Sequence, residues 1–224
     1  MGVRDGLISP DGSVVAVQSQ GGGESRVELY PSSGGPTTTL CAACDVGGWS
    51  LDGSQMVIAR ASAARRLIVD VATRREHEVA AHANWFLNKP RFTRDGRWVT
   101  FHTTNSPELR QIYAVPANRT KPVLPDDWIP VVTDFGIQPS WAPDGAGVYH
   151  FSDRDGYSCV WLQRVDAATK HPVGEPQAVL HLHQPTLRAA LRAMATNDVQ
   201  GGYLYMTLTA TTGNIWMLNP AADE

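Results

Sequence analysis

Cysteine is scarce: Cys41, Cys44 and Cys159 are the only three in 224 residues, too few and too unevenly placed for a disulfide framework. Excess charge of one sign is missing too. With 19 Lys and Arg against 22 Asp and Glu, the net charge of -3 provides no global positive field to attract nucleic acid or an anionic lipid surface. No apolar run approaches the roughly 20 residues that span a bilayer. The start, MGVRDGLISPDG, has neither the basic nor the apolar segment of a signal peptide, so the chain as written is expected to be cytoplasmic. A segment upstream of Met1 would instead make it periplasmic or membrane-linked. Also missing are a G-x-G-x-x-G loop, the His-Arg-Asp and Asp-Phe-Gly motifs of kinases, and a basic recognition helix. There is no second C-x-x-C to complete a zinc site with Cys41-Ala-Ala-Cys44, and that pair does not open a helix after a strand as redox pairs do. It is expected to be two small, partly buried thiols.

What the sequence does contain is a repeat. Ile8-Ser9-Pro10-Asp11-Gly12, Trp49-Ser50-Leu51-Asp52-Gly53, Phe92-Thr93-Arg94-Asp95-Gly96 and Trp141-Ala142-Pro143-Asp144-Gly145 each lead into an apolar, strand-like run. Asp-Gly between such runs is a hairpin signal, because glycine takes positive φ freely and the aspartate side chain accepts from nearby backbone N–H groups. After each run come a polar break and a second strand: Val27–Tyr30, Arg66–Asp70, Gln111–Val115 and Cys159–Val165. A degraded fifth copy runs from Tyr203–Leu208 through the turn 211–214 to Ile215–Leu218. Runs such as Met56–Ala59 and Val148–Phe151 are largely apolar on both faces, as in sheets covered on both sides. Repeats of 40 to 50 residues with short strands therefore predict an all-β chain, a single β-propeller domain over 1–224. Five blades are visible, at about 5–45, 46–87, 88–136, 137–184 and 195–220. They form either a closed ring or an incomplete one of six or more blades, and an unpaired blade edge would be a dimerisation surface. Leu187, Leu191 and Met194, following Pro185-Thr186, predict a short helix near 185–194.

The repeated phrase resembles that of the TolB-like propellers, over nearly the whole chain. Leu51 and Arg94 stand where that family has proline, and Ile8 where it has an aromatic residue. Stretches such as Trp128–Asp134, Phe151–Gly156 and Thr212–Trp216 are similar to C-terminal propellers of acidobacterial proteins, in which the propeller follows a serine/threonine kinase or winged-helix domain. The resemblance implies a noncatalytic sensor or scaffold that binds a protein, peptide or small ligand, or else the regulatory part of such a kinase or transcriptional regulator.

Against that background the candidate chemical residues read as structural. Ser50 sits in a setting like that of a nucleophile, but its equivalents are Ser9, Thr93 and Ala142, and Asp52 stands where a nucleophile elbow needs glycine. The turn residues Asp11, Gly12, Asp52, Gly53, Asp95, Gly96, Asp144 and Gly145 are expected to cap hairpins. His181-Leu-His183 could place two imidazoles on one side of a strand. With no acidic or cysteine partner adjoining it in sequence, it is read as ordinary histidines, and no metal or other cofactor is expected. Asp153-Arg154-Asp155 is read as a hairpin that needs no ion. Arg60, Arg65, Arg66, Arg74 and Arg75 are read as solvated hairpin-edge charges. Trp85, Trp128 and Trp141, near the inter-blade segments, are the candidate partner contacts. A propeller hydrolase or lyase is the least favoured reading, for want of a convergent His and carboxylate set.

Overall fold

In the computed structural model, residues 2–21, 23–60, 64–104, 110–118, 121–183, 187–189, 197–200, 203–206 and 208–210 are described. They build four antiparallel four-stranded meanders. The first contains β1 (Gly2–Ile8), β2 (Val14–Gly21), β3 (Glu24–Pro31) and β4 (Thr38–Ala42). The second contains β5 (Asp45–Trp49), β6 (Gln55–Arg60), β7 (Arg65–Asp70) and β8 (Glu76–Ala81). The third has β9 (Phe86–Phe92), β10 (Trp98–Thr104), β11 (Ile112–Pro116) and β12 (Ile129–Val132). The fourth has β13 (Ile137–Trp141), β14 (Gly147–Ser152), β15 (Cys159–Arg164) and β16 (Gln177–Leu180).

These sheets are propeller blades packed face to face, which the side chains show strand by strand. On β6 and β7, Met56, Ile58, Leu67 and Val69 are buried with Val27, Leu29 and Leu40 of blade one. Their neighbours Val57 and Ile68 point the other way, into a core with Leu87, Val99 and Phe101 of blade three. Blade three repeats the pattern: Ile112 and Ala114 pack with Trp141, Val148 and Val165 of blade four. Alternate residues of one strand thus enter two different cores, and this is why the runs are largely apolar on both faces. Full burial of each such side chain stabilises by roughly 1.5–3 kcal/mol.

The first strands of successive blades contact one another: β1 against β5, β5 against β9, β9 against β13. Close approach there demands glycine. A Cβ on Gly47 would lie 2.4 Å from the Val57 carbonyl oxygen and 2.7 Å from Pro90, and one on Gly48 would lie 2.9 Å from the Pro90 carbonyl oxygen. Each of these inner strands also carries a register shift, and in β9 and β13 the left-handed residues are Lys89 and Gln138.

The remaining strands are β17 (Leu187–Ala189), β18 (Asn197–Gln200), β19 (Tyr203–Met206) and β20 (Leu208–Ala210), with β17 paired to β20 and β18 to β19. Leu204 and Met206 pack on the last blade-four core, against Ile137, Phe151, Val160 and Leu182. The helix expected near 185–194 is not formed at Leu187–Ala189. Those residues pair with Leu208–Ala210, so strand pairing overrides the helical spacing of the leucines. The rest of that segment, and the expected turn 211–214 and strand 215–218, lie outside the described residues.

Candidate metal centre

The meander order sorts the connections onto two faces. Links from first to second and from third to fourth strand fall on one face; second-to-third hairpins and the exits to the next blade fall on the other. On the first face the four Asp-Gly turns are near copies. Gly12, Gly53, Gly96 and Gly145 have φ of 68 to 74° and donate to the carbonyls of Ser9, Ser50, Thr93 and Ala142 at 2.9 to 3.0 Å. Asp52 Oδ1 accepts from the Ser50 hydroxyl at 2.7 Å and the Ser54 amide at 3.0 Å, and the Ser50 oxygen accepts from the Gln55 amide at 2.9 Å. Asp11 repeats this with Ser9 and Ser13, and Asp95 with Thr93 and Arg97. The hydroxyl of Ser9 and then the Ser13 amide hold Asp11 down at about 2. At Asp95 burial pulls upward, but the bonds from Thr93 and Arg97 outweigh it and leave the carboxyl at about 2. Ser50 is therefore a buried turn-locking residue, as its recurrence implies.

A second repeated device on this face was not read from the sequence. Asp70-Val-Ala-Thr-Arg74 and Asp166-Ala-Ala-Thr-Lys170 form matching turns: Asp Oδ1 accepts from Thr73 or Thr169, and Arg74 and Lys170 take φ of 62° and 64°. The shared Asp-x-Ala-Thr-basic phrase was the available signal.

The other face differs from blade to blade. At the exit of blade one Cys41 and Cys44 are joined by a disulfide, with Cα atoms 6.1 Å apart, so the expected pair of free thiols is corrected. The intervening Ala43, at φ 50°, folds the chain back so that the two sulfurs meet. Beside it lies an open depression of about 350 Å³ lined by Arg4, Gln20, Ser25, Asp45 and Arg60. At the exit of blade two, His82 stacks on Trp85 with ring centroids 4.0 Å apart, and Trp85 faces Tyr113 and Trp128. Trp85 is half-buried and Phe86 is 49% exposed. Trp128 and Trp141 are corrected: both are buried, their indole N–H groups donating to the carbonyls of Val123 and Arg91. Their apolar rings are used in the blade cores, which leaves Trp85 as the only one of the three with ring surface to offer.

The arginines of blade two are also corrected in part. Arg60 pairs with Glu76 and Arg65 with Glu78, but Arg66 is buried in the interior, where burial lowers its guanidinium to about 9 against the opposing pull of Asp45. Its even-numbered position in β7 points it inward with Ile68.

At blade four, four metal-ligating side chains converge. Asp155 lies in the β14–β15 hairpin, Cys159 opens β15, and His181 and His183 follow β16, their ligand atoms all within 4.8 Å of one another. Asp155 Oδ2 is 3.1 Å from both His181 Nδ1 and His183 Nε2, and the two nitrogens are 3.2 Å apart. Leu182 is buried between the two histidines, which fixes both imidazoles on the outer side of the chain. The groups behind the ligand atoms are held as well. The Tyr157 amide donates to Asp155 Oδ1 at 3.3 Å, the Leu182 amide donates to Cys159 Sγ at 3.3 Å, and Tyr157 stacks on His183 with centroids 4.4 Å apart. Burial pushes the Cys159 thiol up, and nearby Asp155 adds to this. Burial also raises Asp155, but the bonds from His183, Tyr157, Cys159 and His181 outweigh it and hold its carboxyl at about 2. The two partners that sequence reasoning did not join to His181 and His183 are thus Asp155, in the Asp-Arg-Asp-Gly hairpin, and Cys159. Sequence separations of 22 to 28 residues hid a contact made only when adjacent strands pair.

Neither a protein-family model nor a curated protein sequence matches the chain. Solved structures do. The putative TolB from Agrobacterium tumefaciens superimposes with a TM-score of 0.70 at 21% identity, over 94% of this chain and 76% of that one. TolB from Acinetobacter baumannii gives 0.61 at 14% identity, over 93% and 52%. A prolyl endopeptidase gives 0.63 at 14% identity, over 92% of this chain and 32% of that chain. The chain thus has a TolB-like β-propeller fold and spans about half of the Acinetobacter TolB and a third of the endopeptidase.

Proposed function

We propose that the chain is a noncatalytic binding module that engages a protein, peptide or small ligand through the face carrying the blade exits. The observation behind this reading is the contrast in side-chain chemistry at topologically equivalent connections. One face presents near-identical, internally satisfied turns, whereas the other presents a disulfide, a His82–Trp85–Phe86 aromatic group and a His/Cys/Asp cluster. Variable loops on a rigid scaffold are where propeller-like folds place recognition, and exposed aromatic rings supply interface anchors at low entropic cost. The Cys41–Cys44 disulfide favours an oxidising compartment over the cytoplasm expected from the start of the chain. Among the described residues no helix is long and apolar enough to cross a membrane.

The propellers of prolyl endopeptidases share the fold, which favours a second reading: this propeller serves as the recognition part of a larger protein with a catalytic or regulatory domain. Site-specific photo-crosslinking tests the binding face. A benzophenone amino acid is placed at Phe86 on the exit face and, separately, at exposed Arg94 on the turn face. Adducts at position 86 and none at 94, in lysate of the source cells, are expected. Equal labelling at both, or labelling at 94 alone, would refute the assignment.

A further inference from the structure

While Asp155 is ionised, hydrogens on the imidazoles alone do not satisfy all three edges of the triangle of Asp155 Oδ2, His181 Nδ1 and His183 Nε2. If both imidazole nitrogens carry hydrogen, two donors face each other across the 3.2 Å edge; if either is bare, an acceptor faces the carboxylate at 3.1 Å. A cation among the three satisfies all the lone pairs at once. The mutual separations of 3.1 to 3.2 Å fall just below the roughly 3.3 Å that ligand bonds of about 2.0–2.1 Å give in a tetrahedral zinc site.

We infer that Asp155, Cys159, His181 and His183 bind one zinc ion per chain. The sulfur and imidazole donors disfavour calcium and magnesium, which take oxygen ligands, and a four-ligand set of N, S and O suits tetrahedral zinc. Cys159 gives its thiol proton to solvent on binding, so that thiolate and carboxylate balance the dication. The hydrogen bonds donated by the Leu182 amide to sulfur and by the Tyr157 amide to Asp155 Oδ1 orient both ligands, leaving Asp155 Oδ2 free for the ion. Four protein ligands leave no open position for a substrate or activated water. The ion is a staple that ties the β14–β15 hairpin to the chain leaving β16, beside the core on which Leu204 and Met206 pack. This inference goes beyond the binding-module reading and is independent of it.

The test is to strip the full chain with chelator and titrate it with zinc alone, in competition with a chromophoric chelator, and then with cobalt as an optical probe. One zinc per chain is expected, with a sulfur-to-cobalt charge-transfer band and tetrahedral d–d bands. Zinc at about 100 times its Kd raises Tm by roughly 5–10 °C. His183→Ala removes a ring on the protein surface; it is expected to keep the metal-free Tm and to lose roughly 100-fold or more in zinc affinity. Cys159→Ser is expected to lose the charge-transfer band. Equal zinc affinity in the wild type and His183→Ala, or no stoichiometric zinc in the wild type, would overturn the site. Cobalt binding without the charge-transfer band would remove Cys159 from it.

Discussion

The two faces of this propeller are built from the same four meanders, yet they use their connections differently. On the turn face, one solution recurs: in blades one to three a hydroxyl, an aspartate and a left-handed glycine satisfy each other inside five or six residues, and in blade four Asp144 and Gly145 do so without the hydroxyl. On the exit face, the chain must cross from an outer strand to the next inner one, and blades one, two and four carry different chemistry there. Repetition marks what the fold requires, and divergence marks where chemistry can be added without cost to the blades. The His/Cys/Asp cluster is the sharpest case, because three of its ligands are at least partly exposed and its one buried member, Cys159, sits at a strand end.

The largest effect that sharpens this contrast lies between the faces, on the inner strands. Gly47→Ala is expected to destabilise by roughly 1–3 kcal/mol or more by driving a methyl into the Val57 carbonyl and Pro90, as measured by urea denaturation. On the turn face, Ser50→Ala removes the bonds to Asp52 and Gln55 and is expected to cost about 1 kcal/mol. It should leave any binding at the exit face unchanged; a loss of binding without loss of stability would return Ser50 to the functional residues.

Acid separates buried groups from the turns. Burial holds His102 neutral with a pKa of about 3, the cations Arg110, Arg66 and Lys89 adding to this, and burial holds His150 at about 4. Because the unfolded chain takes up protons first, stability should decline from about pH 6.5 downward, by about 1.4 kcal/mol per pH unit for each histidine, until these folded-state values are reached. The depressed carboxyls of Asp11 and Asp95 contribute stability that is complete above about pH 4 and is lost as pH falls through about 2. His102→Gln should flatten the upper window and leave the lower one, in unfolding midpoints measured across pH.

Much of the fold was legible in the sequence because its determinants are local. Asp-Gly turns, apolar runs and their 40-to-50-residue period sit within one blade, and the four-stranded sheets span 2–42, 45–81, 86–132 and 137–180. The candidate site was half legible. The alternation of His181 and His183 was visible but read as ordinary histidines, because Asp155 and Cys159 join them only through the register of β14, β15 and β16, in which Ser152 pairs with Cys159 and Val160 with Leu180. The same holds for Cys41 and Cys44, where the backbone reversal at Ala43 brings the thiols together, and for Arg66, whose burial depends on which face of β7 meets blade three. The failed helix at 187–189 shows the reverse, a local pattern overridden by a strand partner about twenty residues away.

The measurement that most directly tests the division of roles is a single set of unfolding midpoints in metal-free buffer. Asp52→Ala and Asp95→Ala represent the turn face, and Tyr157→Ala and His183→Ala the exit face. The account predicts lower midpoints for both turn variants and exit-face stabilities within about 0.5 kcal/mol of wild type, as for surface positions. Exit-face variants that destabilise as much as the turn variants would contradict it.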